Sequence, residues 1–318
     1  MNLLVTGGAG FIGSTYARML LNGAPDALDV SRVTVLDKLT YAGRPDNLDL
    51  TDPRLTLVHG DICDPDTVAE AMTGVDQVVH FAAESHVDRS IADAHAFVRT
   101  NVAGTQTLLD QALRQGIDRF VHVSTDEVYG SVETGARSES DPLDPNSPYA
   151  ASKAASDLLA LSCHRTHGLD VRVTRCSNNY GPRQYPEKVV PLFVTRLLTG
   201  REVPLYGDGR NVRDWLHVDD HCRGVDAVRL HGRPGEIYNI GGGTELTNRE
   251  LTGLLLAACG RDWSAVRQVP DRKGHDLRYA IRDDKVRAEC GYAPQTDFET
   301  GLARTVEWYR RHRRWWDC

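Results

Sequence analysis

The sequence predicts an α/β protein, a doubly wound parallel sheet carrying a smaller mixed α/β domain, and three observations lead there. A strand, a glycine-rich turn and an amphipathic helix follow one another between Leu3 and Asn22. Apolar strands then alternate with helices as far as Arg175, the rhythm of parallel strands joined by helical crossovers. After Pro182 that rhythm breaks into short strands and isolated helices, so a second domain of different architecture begins near there. Residues 1–178 are expected to form the first domain, with a return at about 219–242, and residues 179–318 the second.

The first strand, Leu3 to Val5, runs into Thr6 and the glycines at 7, 8, 10 and 13. Their spacing satisfies the dinucleotide-binding signature: a tight turn, backbone approach to a pyrophosphate, and close packing of helix on strand. The helix start then faces the phosphates, and the sheet is of Rossmann type. A structural glycine turn is the competing reading. The second strand, Val33 to Leu36, ends in Asp37, an acid placed to bind the ribose hydroxyls of NAD and to repel a 2′-phosphate. The third, Leu55 to Val58, leads to Asp61 and Ile62, which suit an adenine by hydrogen bond and apolar packing. The fourth, Gln77 to Phe81, leads to Ala82 and Ala83, small enough to let a cofactor pass close to the backbone. Either pair serves equally well as turn chemistry.

A helix is expected from about Ala94 to Gln115, carrying Asn101, followed by a fifth strand, Phe120 to Val123. Ser124 to Glu127 therefore sit at a strand's carboxyl end, where open α/β sheets bind ligands. Ser147 followed by Pro148 reads as N-cap and first helical position. Tyr149 then lies in the first turn and Lys153 one turn on, on the same face. A phenol of reference pKa ~10 is a poor base at neutral pH, but a nearby ammonium favours its ionised form. An ordinary helical contact explains an isolated Tyr-x-x-x-Lys equally well. The sixth strand is Val171 to Arg175. Beyond it come a short strand from Glu202 to Tyr206, a helix from Asp219 to Leu230, and a strand from Glu236 to Ile240. A helix opened by a Thr247/Glu250 capping box and a closing amphipathic helix from about Phe298 complete the chain.

Of the 318 residues, 41% are hydrophobic and 25% charged, enough for a sizeable core. The net charge of −7, with basic clustering only at Arg310, Arg311, Arg313 and Arg314, argues against nucleic acid as a partner. No apolar run approaches the length of a membrane span. Met1 leads directly into a strand without a leader pattern, so a cytoplasmic protein that engages no membrane is expected. Seven cysteines without paired or metal-type spacing suit reduced thiols and no metal site.

The glycine signature, Tyr149-x-x-x-Lys153 and the strand-end Ser124-Thr125 together resemble the extended short-chain dehydrogenase/reductase superfamily. Within it, AAESHVDRSI at 82–91, STDEVYG at 124–130, NNYGPRQYPEK at 178–188, NVRDW at 211–215 and DRKGHD at 271–276 closely resemble the dTDP-glucose 4,6-dehydratases. The acid pair Asp126-Glu127 is the most discriminating of these, because sugar-nucleotide epimerases of the superfamily generally lack it. Lys273, where a proline is more usual, is a small departure.

The resemblance implies a reaction on dTDP-glucose with tightly bound, recycled NAD. Tyr149, helped by Lys153, takes the proton of the 4-hydroxyl while hydride passes to the cofactor, and Thr125 hydrogen-bonds the 4-oxygen. Glu127 removes the C5 proton, Asp126 protonates the departing 6-hydroxyl, and hydride returns to C6. It assigns Gly7, Gly10, Phe11, Ile12, Gly13, Asp37, Lys38, Asp61, Ile62, Ala82, Ala83 and Asn178, with Tyr149 and Lys153, to the cofactor. Asn179, Lys188, Pro204, Tyr206, Arg213, Asn248, Arg272 and His275 go to the nucleotide, and Ser85, His86 and Asp88 to the hexose. Arg213 and Arg272 suit a pyrophosphate, because guanidinium forks bind phosphate oxygens in pairs. The family's dimer contacts at 94–115 and 148–167 imply a homodimer. Competing readings are a dehydratase or epimerase of a UDP-, GDP- or CDP-linked sugar, and a non-catalytic NAD-binding regulator. A regulator needs only the glycine turn and Asp37, which makes Tyr149, Lys153, Asp126 and Glu127 superfluous to it.

Overall fold

The computed structural model describes residues 1–23 and 30–317. β1 (Asn2–Thr6) turns into α1 (Phe11–Leu21), followed by β2 (Arg32–Asp37), β3 (Leu55–His59), α2 (Pro65–Ala71) and β4 (Gln77–His80). Short helices α3 (Val87–Ala92) and α4 (Ala94–Phe97) lead through a π-helical stretch at Val98–Gly104 into α5 (Thr105–Gln115). β5 (Arg119–Thr125) ends in a 3-10 turn at Asp126–Tyr129, and α6 (Pro148–His167) leads to β6 (Asp170–Cys176). Then come β7 (Asn178–Tyr180), α7 (Val189–Leu198), β8 (Val203–Tyr206), β9 (Val212–His217), α8 (Val218–His231), β10 (Ile237–Ile240) and β11 (Glu245–Thr247). The chain closes with α9 (Asn248–Ala258), β12 (Val266–Val269), α10 (Asp284–Cys290), α11 (Phe298–Arg311) and α12 (Arg313–Trp316).

Seven strands form one parallel sheet in the order β10-β6-β5-β4-β1-β2-β3. Strand order reverses between β1 and β4, and that switch point opens a crevice at the carboxyl ends of the strands. Helices cover both faces, which is why the strands are apolar on both sides rather than alternating. Leu3 and Val5 point into a core shared with Tyr16, Leu20, Val225 and Val228. Leu4, between them, points into the opposite core with Val68, Leu108, Leu109 and Leu161. The architecture is therefore a Rossmann-type α/β fold.

Local chemistry fixes the elements that carry the site. The Ser147 hydroxyl accepts from the Ala150 amide at 3.1 Å, Pro148 occupies the first helical position, and Gly168 ends α6 in the left-handed conformation. The Thr247/Glu250 capping box is formed at the start of α9. The single helix expected over 94–115 is interrupted: its middle winds as a π-helix, and Asn101 turns inward there. Asn101 Oδ1 accepts from the Glu84 amide, while Nδ2 donates to the Glu84 carbonyl and to Ser152 Oγ. A third core, built from Phe193, Trp215, Leu251, Leu255, Leu302 and Val306, supports a three-stranded sheet, β11-β9-β7, and a β12-β8 pair.

Candidate active site

A cavity of about 620 Å³ lies over the switch point and runs from the glycine turn to β8, β9 and the 271–279 loop. Every residue that the sequence assigns to cofactor, catalysis or nucleotide lines it, and so does Asp88. The glycine turn is cut to shape. Gly7 has φ +66°, and a Cβ on it would lie 2.7 Å from the Ala82 backbone. A Cβ on Gly13 would lie 2.3 Å from the Gly7 carbonyl oxygen. Gly10 caps α1 with no side chain, and the helix start, with Phe11 and Ile12, faces the cavity. The Asp37 carboxylate accepts from the Ala9 amide at 2.9 Å and the Leu39 amide at 2.8 Å. Burial raises its pKa, and those donors oppose the rise. Asp61 is held below the usual range: burial works against its charge, but Lys38 Nζ at 2.8 Å and the Cys63 amide outweigh it. Ile62 lines the cavity with little exposure, its side chain packed under Gly104.

At the end of β5 the Thr125 hydroxyl accepts from the Glu127 amide and donates to Asp126 Oδ1, both at 3.3 Å. Asp126 is buried, and burial, then the neighbouring Glu127, push its carboxyl well above the ordinary value. Burial also raises Glu127, but the charges of Lys188, Arg213 and Arg272 pull it back. Two adjacent carboxyls thus sit in unlike fields. Both are raised, but Asp126 stands well above its ordinary value while three cations restrain Glu127, so Glu127 gives up its proton the more readily.

Tyr149 and Lys153 are both buried on α6. Lys153 Nζ donates to the Val123 carbonyl at 2.9 Å, and burial lowers its pKa to about 8 against the pull of Asp157. The expected acidification of the phenol by Lys153 does not follow from the side chains alone. Burial, then Glu127 and Cys176, push Tyr149 well above its usual value, and the Thr125 hydroxyl opposes them. The physical reason is burial first, with the Glu127 carboxyl adding to it, while the Lys153 ammonium is turned toward the Val123 carbonyl. Beneath Lys153, fully buried Asp157 receives Arg175 Nε at 2.9 Å and lies 3.3 Å from His122 Nε2. The Arg175 guanidinium also stacks 4.7 Å from the Tyr129 ring.

At the far end Arg213 donates to the Asp276 and Val212 carbonyls and stacks 4.2 Å from the Tyr279 ring, whose hydroxyl donates to Asp276 Oδ2. Arg272 lies 3.8 Å from Asp88, and the Tyr206 hydroxyl reaches the same carboxylate at 3.5 Å. His275 is fixed by Asp271 at 2.6 Å and packs edge-on to Tyr206. Lys188 Nζ donates to the Ser85 carbonyl at 2.6 Å. Pro204, Asn248 and His86 complete the wall.

Among the described residues, Ser124 Oγ, Asp126 Oδ2, Asn178 Oδ1, Asn179 Oδ1, Gln184 Oε1 and Arg272 Nε are buried without a protein partner. Each such group costs about 1–3 kcal/mol if left unsatisfied. All six belong to residues lining this cavity, so the chamber is built for a ligand polar along its length. With the glycine cradle and Asp37 at one end, a dinucleotide fits that end.

Sequence reasoning passed over Glu84, Cys176, Glu187 and Tyr279, all on the lining. Glu187 stands inside the NNYGPRQYPEK stretch, so its signal was present. Tyr279 lies three residues past the DRKGHD motif and Cys176 at a strand end, where nothing local marks them.

The chain matches the family described as GDP-mannose 4,6 dehydratase over residues 4–305. A dTDP-glucose 4,6-dehydratase of Streptomyces antibioticus is 66% identical, covering 100% of this chain and 95% of the relative. One of Streptomyces griseus is 62% identical, covering 99% and 96%. The solved structure of DesIV, a dTDP-glucose 4,6-dehydratase from Streptomyces venezuelae with NAD and TYD bound, superposes with a TM-score of 0.98 at 64% identity. It covers 100% of this chain and 99% of that one.

Proposed function

The chain belongs to this extended short-chain dehydrogenase/reductase family, among its dTDP-glucose 4,6-dehydratases, and from that membership we infer that it converts dTDP-glucose to dTDP-4-keto-6-deoxyglucose for deoxysugar biosynthesis. It is an NAD-dependent lyase. NAD, when bound, accepts hydride from C4 and returns it to C6 within one turnover.

The chain's own residues do the rest. Tyr149, ionised only where the positive nicotinamide of bound cofactor adds to the charge of Lys153 one helical turn away, takes the proton of the 4-hydroxyl, and Thr125 holds the 4-oxygen. Once C4 is a ketone its neighbour C5 is acidic, and Glu127 removes that proton, then gives one back to C5 as hydride reaches C6. Asp126 donates its proton to the departing 6-hydroxyl, so the oxygen leaves as water. The unlike settings of Asp126 and Glu127 carry this reading: Asp126 is buried and holds its proton the more firmly, Glu127 is the one restrained by Lys188, Arg213 and Arg272, and the elimination needs one acid and one base. Arg213 and Arg272 bind the diphosphate. Asn179, Lys188, Pro204, Tyr206, Asn248 and His275 hold the rest of the nucleotide, and Ser85 and His86 contact the hexose.

In this reading the NAD half comprises residues 1–178 with the return at about 219–242, and the sugar nucleotide belongs to 179–318. The protein works in the cytoplasm as a homodimer through 94–115 and 148–167. Val98 and Leu158, 53% and 56% exposed on those segments, support that face. No helix among the described residues is long and apolar enough to cross a membrane.

Titration with dTDP, UDP, GDP and CDP, followed by turnover of the matching glucose nucleotides, tests the assignment. We expect dTDP to bind at least tenfold tighter than the others and only dTDP-glucose to yield the 4-keto-6-deoxy product at speed. Preferred turnover of a UDP-, GDP- or CDP-sugar would overturn the substrate. Product with inverted C4 and an intact 6-hydroxyl would overturn the reaction.

A further inference from the structure

Three stretches of the lining meet in a cluster that the chemistry above does not use. Tyr41 lies on the loop after β2, between Thr40 and Ala42 of the cavity wall. Arg89 lies on α3, just past Ser85 and His86. Glu187 precedes α7 beside Tyr185 and Lys188. The Tyr41 hydroxyl donates to Glu187 Oε1 at 3.0 Å, and Arg89 Nε lies 3.4 Å from Glu187 Oε2. The Arg89 guanidinium stacks 3.6 Å from the Tyr41 ring centre, so each of the three groups touches the other two. Around them the Tyr185 ring meets Tyr41 edge-on at 5.5 Å, and Lys188 ties to the Ser85 carbonyl.

The cluster runs from the cavity wall to solvent: the Glu187 side chain is 13% exposed and the Arg89 side chain 50%. Tyr41 and Arg89 stand behind the lining and both reach it through Glu187, Tyr41 also packing on Tyr185 of the wall. The two stretches so fastened, 37–43 and 82–89, begin with Asp37 and with Ala82 and Ala83, the residues assigned to NAD. Burial, then Glu187, push the Tyr41 phenol above its usual value, so it remains a donor at any working pH.

We infer that Tyr41, Arg89 and Glu187 form a clasp across the crevice that sets how long NAD stays bound, with Tyr41 and Arg89 as positioning residues acting through Glu187. The inference rests on the NAD-dependent reading above. A ligand lying from the glycine turn to Tyr149 passes between the fastened stretches, so its release requires the Glu187 contacts to open. The clasp fits an enzyme that regenerates its cofactor each cycle, because such an enzyme gains nothing from exchange.

The test mixes purified holoenzyme with excess isotopically labelled NAD, desalts samples at intervals, and reads the labelled fraction by mass spectrometry. Arg89→Ala removes the ion pair and the stack together and should speed exchange roughly tenfold. Tyr41→Phe removes one hydrogen bond to a carboxylate and should speed it roughly fivefold. Arg89→Lys keeps the charge without the planar stack and should fall between Arg89→Ala and the parent. Melting temperature and dTDP affinity, measured alongside, should hold within error for Tyr41→Phe and Arg89→Lys. Exchange within twofold of the parent in all three variants would overturn the clasp. So would faster exchange accompanied by an equal loss of dTDP affinity, which would make the cluster a general structural brace. Protein that carries and takes up no NAD would sink the underlying reading rather than the clasp.

Discussion

Changing Asp157 to Asn removes the anion from a fully buried cluster that holds Arg175 at 2.9 Å and His122 at 3.3 Å. Breaking a buried pair by neutralising one partner typically costs about 3–5 kcal/mol, because the other charge stays buried and uncompensated. Arg175 keeps the Tyr129 ring at 4.7 Å, a contact worth up to roughly 2 kcal/mol when desolvated, so the lower end of that range is expected. At roughly 2 °C of melting temperature per kcal/mol for a chain of this size, Asp157→Asn should melt about 6 °C lower. The same change reaches the proposed catalytic lysine. Burial already lowers Lys153 to about 8, and Asp157 is the strongest opposing influence. Without it the ammonium gives up its proton at lower pH, so the alkaline limb of the rate profile should move toward neutrality. Each unit of that shift corresponds to about 1.4 kcal/mol of lost interaction. Differential scanning fluorimetry and initial rates from pH 6 to 10 provide the assay, with Asp157→Glu expected to recover part of both effects. A variant melting within 1 °C of the parent, with an unmoved alkaline limb, would refute the argument.

Asp126→Asn combined with Glu127→Gln should leave oxidation intact and stall elimination, since each general acid or base contributes about 10²–10⁴-fold. A single-turnover trace at the reduced-nicotinamide wavelength should rise without 4-keto-6-deoxy product, and near-normal dehydration would make both residues structural. Arg213→Ala and Arg272→Ala should each weaken plain dTDP by roughly 1.5–3 kcal/mol, the loss of one charge-assisted contact; unchanged calorimetric affinity in both would remove them from the diphosphate site. His221 is buried with neither ring nitrogen partnered among the described residues, and burial lowers its pKa from 6.5 to about 3. Its folded state resists a proton that the unfolded chain accepts below pH 6.5. Stability is therefore full above that pH and falls as pH drops toward about 3. His221→Leu should flatten that fall and raise urea resistance by about 1–3 kcal/mol at neutral pH, and a lower urea midpoint than the parent at pH 5 would count against it.

What the sequence revealed was what is written locally. The turn at Gly7 to Gly13, the apolar strands and the Ser147-Pro148 helix start each depend on neighbours a few residues apart, and each is found where the spacing put it. The β11-β9-β7 sheet was not legible. Val212–His217 pairs with Asn178–Tyr180 on one side and Glu245–Thr247 on the other, and such distant partners leave no periodic mark. The π-helical stretch escaped for a related reason, since what accompanies it is the bonding of Asn101 to Glu84 and Ser152. Residue types located the candidate site, but not its electrostatics. That Tyr149 is driven upward rather than down depends first on its burial and then on Glu127 and Cys176 closing around it, which only the folded chain discloses.

The position of β10 at the margin of the main sheet governs how this protein can be made. Ile237–Ile240 lies against Val173–Cys176, and α8, which delivers it, supplies Val225 and Val228 to the packing under Leu3 and Val5. Tyr16, near the start of the chain, donates its hydroxyl to Asp226 at 2.7 Å. A nascent polypeptide on the ribosome that has completed β6 therefore has every crossover of a nucleotide fold but lacks a wall of its core, and its last strand presents an open edge. Fragments ending near Asn178 should be captured by chaperones or aggregate rather than fold, since unpaired edges and uncovered apolar faces attract one another. Cooperative collapse must wait for the sequence that also builds β9 and delivers Arg213, so the halves that would meet around a substrate become stable together or not at all.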